Sequence, residues 1–467
     1  MSTTAADAVS GVTTGAGARP TWSTRLAFIL AAAGSSVGLG NIWKFPYITG
    51  EYGGGAFVLF YLGCIAAIGL PVMMTEVMLG RRARRSPIGA MRYNSETETG
   101  GHRWGVVGII ATVTAFIILS FYSVVAGWAL PFVVHAVGGA FTGASAEEIG
   151  GLFGSLVSSP GELTIWHTLF MLLTVGVSAA GVRAGVERAV RWLMPALAVM
   201  LLMLVGYNVA NGAMGEAVAF LFQPDFSKLS AEGMLAAMGH SFFTLSLASG
   251  AMMAYGSYLP GNASIARASV TVAIMDTVIA LTAGLAIFPI VFGNGLEPGA
   301  GPGLVFQTLP IAFGKMPGGV FFGTLFFVLL VVAAWTSSLS MLESQAAWLE
   351  EKGLSRSTGA IVAGVAAWLV GMTTVFSLNI WSDFAPLDAV PMFEGKTLFD
   401  IYDFLTANIF MPLGGLLMAV FAGWVMSRKA SAEALGMPEW LYRVWLVIMR
   451  FVAPAAILVI FVANFAG

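Results

Sequence analysis

Charge is scarce in this sequence. Only 10% of its 467 residues are Asp, Glu, Lys or Arg, against roughly 25% in soluble globular domains. A water-facing surface cannot be covered with so few charged groups, which excludes an ordinary soluble protein. Cysteine is nearly absent: Cys64 stands alone, so no internal disulfide framework exists. The four histidines, His102, His135, His167 and His240, lie without metal-ligand spacing. No basic tract points to nucleic acid, and the formal net charge is only −2. The first twenty residues, MSTTAADAVSGVTTGAGARP, lack the basic and apolar regions of a secretory leader. They read as a disordered cytoplasmic tail, 1–20, ahead of a single transmembrane domain, 21–467.

What the sequence has is apolar length. Hydrophobic residues make up 58% of it and the mean hydropathy is +0.85. Apolar runs near 24–50, 55–80, 104–136, 164–181, 188–210, 234–258, 268–292, 319–350, 357–378, 396–427 and 440–465 read as about eleven membrane helices. An odd number places the termini on opposite sides. Arg81, Arg82, Arg84, Arg85 and Arg92 follow the second run, and Arg183, Arg188 and Arg191 follow the fourth. The 137–163 connection opposite them holds Glu147, Glu148 and Glu162 and no Lys or Arg. The positive-inside rule then puts the N-terminus in the cytoplasm and the C-terminus outside. Arg443 and Arg450 are left to snorkel or pack. The Gly- and Pro-rich 293–319 connection is expected to form a short hairpin.

Two of these runs are interrupted. AAAGSSVGLGNIWKFPY, from Ala31, carries glycines, serines and an asparagine where a lipid anchor would carry Leu, Ile and Val. GHSFFTLSLASGAMMAYGSY, from Gly239, places Ser246, Ala248, Ser249 and Gly250 soon after Thr244. These are the first and sixth runs, five apart. Unpaired backbone at membrane depth costs several kcal/mol per group unless it lines a cavity or binds something. Paired breaks in corresponding halves point to a transporter made of inverted repeats; close packing through small residues is the plainer alternative.

Across the whole membrane region the chain resembles the neurotransmitter:sodium symporter family. WSTRLAFILAAAGSSVGLGNIWKFPYITGEYGGGAFVLFY is similar to its first two spans, FFTLSLASGAMMAY to its sixth and AAWTSSLSMLE to its eighth. Members usually have twelve spans; eleven fits the bacterial amino-acid transporter branch. The resemblance implies an all-α, leucine-transporter-like fold of two inverted five-helix repeats, about 24–210 and 234–427, with broken helices 1 and 6 and an extra helix at 440–465.

It also implies a set of sites. One sodium site would use backbone carbonyls of Gly34, Val37 and Ala333 with the hydroxyls of Thr336 and Ser337. The residues agree, since Ala333, Thr336 and Ser337 are spaced i, i+3, i+4 on one helix face, although hydroxyls bonded back to their own helix are a common alternative. The other sodium site would use the Ser36 carbonyl, Asn41, Thr244 and Asp276, completed by the substrate carboxylate. Asp276 is the lone acid of its run, and an intramembrane carboxylate is a functional candidate by default. Most members place Asn there. With that fixed charge, and Ala280 where chloride-dependent members have serine, two sodium ions and no chloride are expected; a protonated Asp276, or one paired elsewhere in the bundle, is the alternative.

The substrate would be an amino acid whose carboxylate meets the backbone at Leu39 and Gly40, near Ser35, and the Tyr122 hydroxyl. Gly38 stands where monoamine carriers have Asp. Ile118, Phe243, Thr244, Ser246, Ser249, Ser337 and Met341 would complete the pocket. Ser249 replaces a Phe or Met of relatives, which implies a bulky hydrophobic or aromatic side chain; another small zwitterion stays open. Lys44 and Asp403 would gate the outer path, Arg19 and Glu351 the cytoplasmic one, and Glu76 would brace the first helix. His240 stands where relatives often carry Gln. A channel would need a repeated filter and an enzyme a nucleophile–base pair or metal set; neither is visible. A non-transporting sensor of the same fold remains an alternative. The bilayer implied is the bacterial inner membrane.

Overall fold

The computed structural model describes residues 20–299 and 303–466. Among them all regular structure is helical. Among the described residues nine continuous helices are long and apolar enough to cross a membrane. They are the second span Gly55–Ala83, the third Gly105–Val137, the fourth Pro160–Ala179, the fifth Val182–Asn211 and the seventh Ile265–Gly293. The eighth is Gly319–Glu351, the ninth Arg356–Ser377, the tenth Leu398–Val425 and the eleventh Glu439–Ala463. The first span is two helices, Arg25–Ser36 and Gly40–Glu51, bent by 49° at the break. The sixth is also two, Ala231–Thr244 and Ala251–Ser257, with Leu245 to Gly250 unwound between them. Eleven apolar runs in sequence thus become nine unbroken helices and two broken ones.

Burial sorts them. In the third span 72% of the most apolar window is buried inside the protein, in the fifth and eleventh only 28%. The third span is thus the most enclosed of the nine, followed by the second and seventh at 61% each and the eighth at 56%, while the fourth, fifth and eleventh turn most of their surface outward. Centre packing is close. A Cβ on Gly80 of the second span would lie 1.9 Å from the Met253 carbonyl oxygen of the sixth, so glycine alone lets these backbones meet.

The connections hold more helix than their composition indicates. Ser86 caps Pro87–Thr99 by accepting the Gly89 N–H, with Pro87 at the first position and Gly100 (φ 70°) ending it. Ser145 and Glu148 form a capping box for Ala146–Ser158. The 293–319 connection contains the short helix Leu309–Lys315, where a hairpin was expected; Pro310 in its first turn is a helix-start signal within a Gly-rich stretch. The tail 1–19, and Arg19 with it, lies outside the described residues.

Candidate sodium and substrate sites

The first break is made by backbone that turns away from the helix. Val37 ends the first half in an extended conformation (ψ 96°), and the Gly38 N–H donates to Asn41 Oδ1 at 3.2 Å. The sixth-span break is made by left-handed residues, Ser246 (φ 53°), Ala248 (φ 59°) and Gly250 (φ 72°). For Ser and Ala that conformation costs about 1–2 kcal/mol each. It is held by contacts outside the segment: Ser246 Oγ donates to the Ser35 carbonyl at 2.8 Å, and the Ala248 N–H donates to Glu76 Oε1 at 2.5 Å. Glu76, expected to brace the first helix, thus holds the sixth-span break. The two breaks face each other through Ser246 and Ser35.

Asp276 lies beside the first break, fully buried with Asn41 and Thr244. Asn41 Nδ2 donates to Asp276 Oδ1 at 2.8 Å and to its carbonyl at 3.1 Å. Thr244 Oγ1 donates to both carboxylate oxygens, at 3.1 and 3.2 Å. Every one of these donors is neutral, and among the described residues no ion pair includes Asp276. A buried carboxylate with only neutral donors is stabilised either by a proton or by a cation. Two side-chain oxygens of Asp276, Oδ1 of Asn41 and the Thr244 hydroxyl are hard donors suited to sodium. Ser36 Oγ turns back to Ala32, leaving its carbonyl as the atom for that group.

The second oxygen cluster joins the first and eighth spans. Ser337 Oγ reaches across to the carbonyls of Gly34 (3.3 Å) and Ser35 (3.1 Å), while Thr336 Oγ1 bonds back to Ala333 in its own helix at 3.0 Å. A Cβ on Gly34 would lie 3.3 Å from Thr336 Cβ, which places that glycine directly against the hydroxyl-bearing face. Val37 is buried at the same break. The set is uncharged and all oxygen, which suits a small monovalent cation.

Between the breaks lies a cavity of about 20 Å³ lined by Ser35, Leu39, Gly40, Ile118, Tyr122, Phe243, Ser246, Ser249, Ser337 and Met341, together with Ser36, Gly38 and Met411. Ten of the eleven expected substrate residues thus share one wall; Thr244 points instead at Asp276. The space holds about one water, which needs roughly 10–15 Å³. The Leu39 N–H faces the Tyr122 hydroxyl at 3.5 Å. A Cβ on Gly38 would lie 2.3 Å from Ser337 Oγ and 3.2 Å from the Tyr122 hydroxyl, so no larger residue fits there without displacing them.

Leu39, Tyr122 and Phe243 also line a vestibule of about 370 Å³ that contains Lys44 and Asp403. Phe243 and Tyr122 partition vestibule from cavity. Lys44 and Asp403 share the vestibule, but among the described residues no ion pair joins them; the Lys44 ammonium lies 4.9 Å from the centre of the Phe243 ring. His240 is buried against Phe45 and Tyr61, at ring separations of 6.1 and 5.3 Å.

The opposite end is closed by residues that sequence reasoning did not single out. The Trp22 indole N–H donates to the Tyr255 carbonyl at 3.0 Å, and its ring meets Tyr255 and Tyr258 edge-on. Tyr258 Oη donates to Glu343 Oε1 at 2.7 Å, and Arg356 grips Glu343 with both terminal nitrogens, at 2.6 and 2.5 Å. Arg356 Nε also donates to the Ser178 carbonyl. Glu343, an acid about two turns inside the eighth span from the terminal Glu350 and Glu351, carried a signal like that of Asp276 and could have been found by it. Glu351 accepts from the Ser86 N–H and hydroxyl, at 2.5 and 2.6 Å; its expected partner Arg19 is outside the described residues.

Broken helices facing each other, two oxygen clusters flanking the first break and a cavity between a vestibule and a sealed end fit a cation-coupled membrane transporter. The comparisons agree. The model of the sodium:neurotransmitter symporter family matches residues 19–147 and 141–466, and the chain belongs to that family, one of transporters rather than enzymes. It is 38% identical to an uncharacterized sodium-dependent transporter of Bacillus subtilis (strain 168), YhdH, over 94% of this chain and 96% of that protein. It is 34% identical to an uncharacterized sodium-dependent transporter of Haemophilus influenzae, over 96% and 98%. The crystal structure of MhsT in complex with L-phenylalanine superimposes with a TM-score of 0.86, at 41% identity, covering 96% of this chain and all of that one. The chain is thus a multi-pass, sodium-dependent transporter of the bacterial branch, with the family's fold and its broken helices.

Proposed function

We propose that this transporter imports a bulky hydrophobic or aromatic amino acid with two sodium ions and without chloride, across the bacterial inner membrane. The observation that carries the reading is Asp276, a buried carboxylate met only by neutral donors beside the first break. Sodium held there would supply the positive charge for the substrate carboxylate. The chain's own residues do the rest: Leu39 and Gly40 present backbone N–H groups, Tyr122 its hydroxyl, and Phe243 closes over the cavity. Residues Gly34, Val37, Ala333, Thr336 and Ser337 would hold the second ion. The L-phenylalanine bound to MhsT supports the substrate class. The arginines at the sealed end support a cytoplasmic position for that end and for the N-terminus by the positive-inside rule. The vestibule then opens outward, with Lys44 and Asp403 in its wall as the outer gate and Glu351 at the inner one.

The narrowness of the cavity supports a second reading, a smaller zwitterion. Ser249 tells them apart. It is buried in the cavity wall, its hydroxyl turned back to the Ser246 carbonyl at 2.8 Å. In Ser249→Phe the added ring should exclude tryptophan and phenylalanine while leucine or alanine binds within about tenfold of the parent, the scale of methylene-sized pocket changes. Competition against a labelled amino acid measures it. An unchanged ranking in the variant removes Ser249 from the ligand, and a parent that prefers alanine favours the smaller zwitterion. Uptake into proteoliposomes, absent in a sensor, separates transport from binding alone.

A further inference from the structure

At the sealed end, on the lipid-facing side, Arg183, Arg188, Arg191, Ala184 and Trp192 line a separate cavity of about 380 Å³. All three arginines are exposed. Arg191 pairs with Glu187 at 2.7 Å, and that carboxylate is 4% exposed, turned inward to the Ser23 N–H and hydroxyl. Arg183 donates to the carbonyl and hydroxyl of Thr21 at 2.6 and 3.1 Å. Arg188 has no carboxylate partner among the described residues. With Glu187 as its one carboxylate, the cluster keeps an excess of positive charge around an open space.

Below the cavity the fifth span continues as an apolar stripe turned outward. Trp192, Val199, Leu202 and Val209 are 76, 55, 62 and 67% exposed, at helical spacing on one face. Trp192 is the most exposed large apolar side chain among the described residues. Tryptophan prefers the headgroup level, and guanidinium forks match phosphate oxygens.

We propose that this cavity binds the phosphate headgroup of an anionic phospholipid, with an acyl chain lying along the Val199–Leu202–Val209 stripe. A free phosphate would use the same guanidiniums and leave the stripe without a role; charge and apolar length together favour the lipid. Because Arg183 and Arg191 also hold Thr21 and Ser23, the headgroup sits against the segment that leads into the first span. The leaflet, cytoplasmic, rests on the orientation proposed above; the binding itself does not.

Native mass spectrometry of the full chain in detergent, titrated with phosphatidylglycerol, phosphatidylcholine or inorganic phosphate, tests this. Phosphatidylglycerol should bind about tenfold tighter than phosphatidylcholine, and each of Arg188→Gln and Arg183→Gln should weaken it about fivefold. Trp192→Ala should weaken both lipids. Millimolar inorganic phosphate should not displace the lipid. Equal binding of the two lipids, displacement by inorganic phosphate alone, or arginine variants that bind like the parent would each overturn the proposal. A parental thermal-unfolding temperature of Arg188→Gln in detergent serves as the check on folding. If neither arginine variant folds, the parent's selectivity between lipids and its insensitivity to phosphate decide the matter. A failure of sodium coupling would leave these outcomes unaffected, so the two readings fall separately.

Discussion

Asp276→Ala should weaken sodium-supported amino-acid binding by about a hundredfold or more, with a matching rise in the sodium concentration needed for half-saturation. The carboxylate is the acceptor for both the Asn41 amide and the Thr244 hydroxyl. Its loss takes the side-chain acceptor from both donors, leaving Asn41 Nδ2 the Asp276 backbone carbonyl and Thr244 the more distant Asn41 Oδ1 at 3.4 Å, and removes the fixed charge facing the cation. Asp276→Asn keeps one acceptor and the volume, so it should fall between parent and alanine variant. Charge also governs the anion. Two sodium ions, a zwitterion and one carboxylate sum to about +1, so a further anion is not needed to fill the site. The parent should therefore take up substrate equally well in sodium chloride and sodium gluconate, whereas Asp276→Asn should gain a preference for chloride. A parent that stops in gluconate defeats the charge argument. An alanine variant with parental sodium affinity would move the cation elsewhere.

The second large effect lies at the sealed end. Arg356→Met should lower stability by about 3–5 kcal/mol, because it leaves the Glu343 carboxylate buried with the Tyr258 hydroxyl as its remaining strong donor. Thermal unfolding in detergent should show a clear drop, and uptake should fall with it, since the contact joins the sixth, eighth and ninth spans at the end that must open and reseal. The double variant Glu343→Gln, Arg356→Met replaces the pair by neutral groups and should recover much of the stability. If the single variant unfolds at the parental temperature, the pair does not hold this end closed. If the double variant is no better than the single, stranding of a charge is not the reason for the loss.

Much of this arrangement is legible in the sequence, for a physical reason. A membrane helix has no cause to carry Gly, Ser and Asn at mid-depth, so the breaks at Val37–Leu39 and Leu245–Gly250 announce themselves. An acid such as Asp276 is conspicuous for the same reason. Less legible is what holds the breaks open. The Ser246–Ser35 bond spans 211 positions and Trp22–Tyr255 spans 233, and no local pattern encodes such pairs. The left-handed Ser246 and Ala248 run against their own propensity and depend on Ser35 and Glu76 from other spans. Lys44 pairs naturally with Asp403 on paper, yet its ammonium rests on the Phe243 ring. Composition also hid the helix Leu309–Lys315, whose short apolar run is flanked by the glycines of 299–303 and 318–319.

The central claim, that the two oxygen clusters flanking the first break couple substrate to sodium, is tested most directly by amino-acid uptake into proteoliposomes under an inward sodium gradient and under an equal potassium gradient. The account predicts concentrative uptake with sodium and almost none with potassium, because cages sized by Asn41, Thr244, Asp276, Thr336 and Ser337 favour the smaller ion. Equal uptake under the two gradients would contradict it.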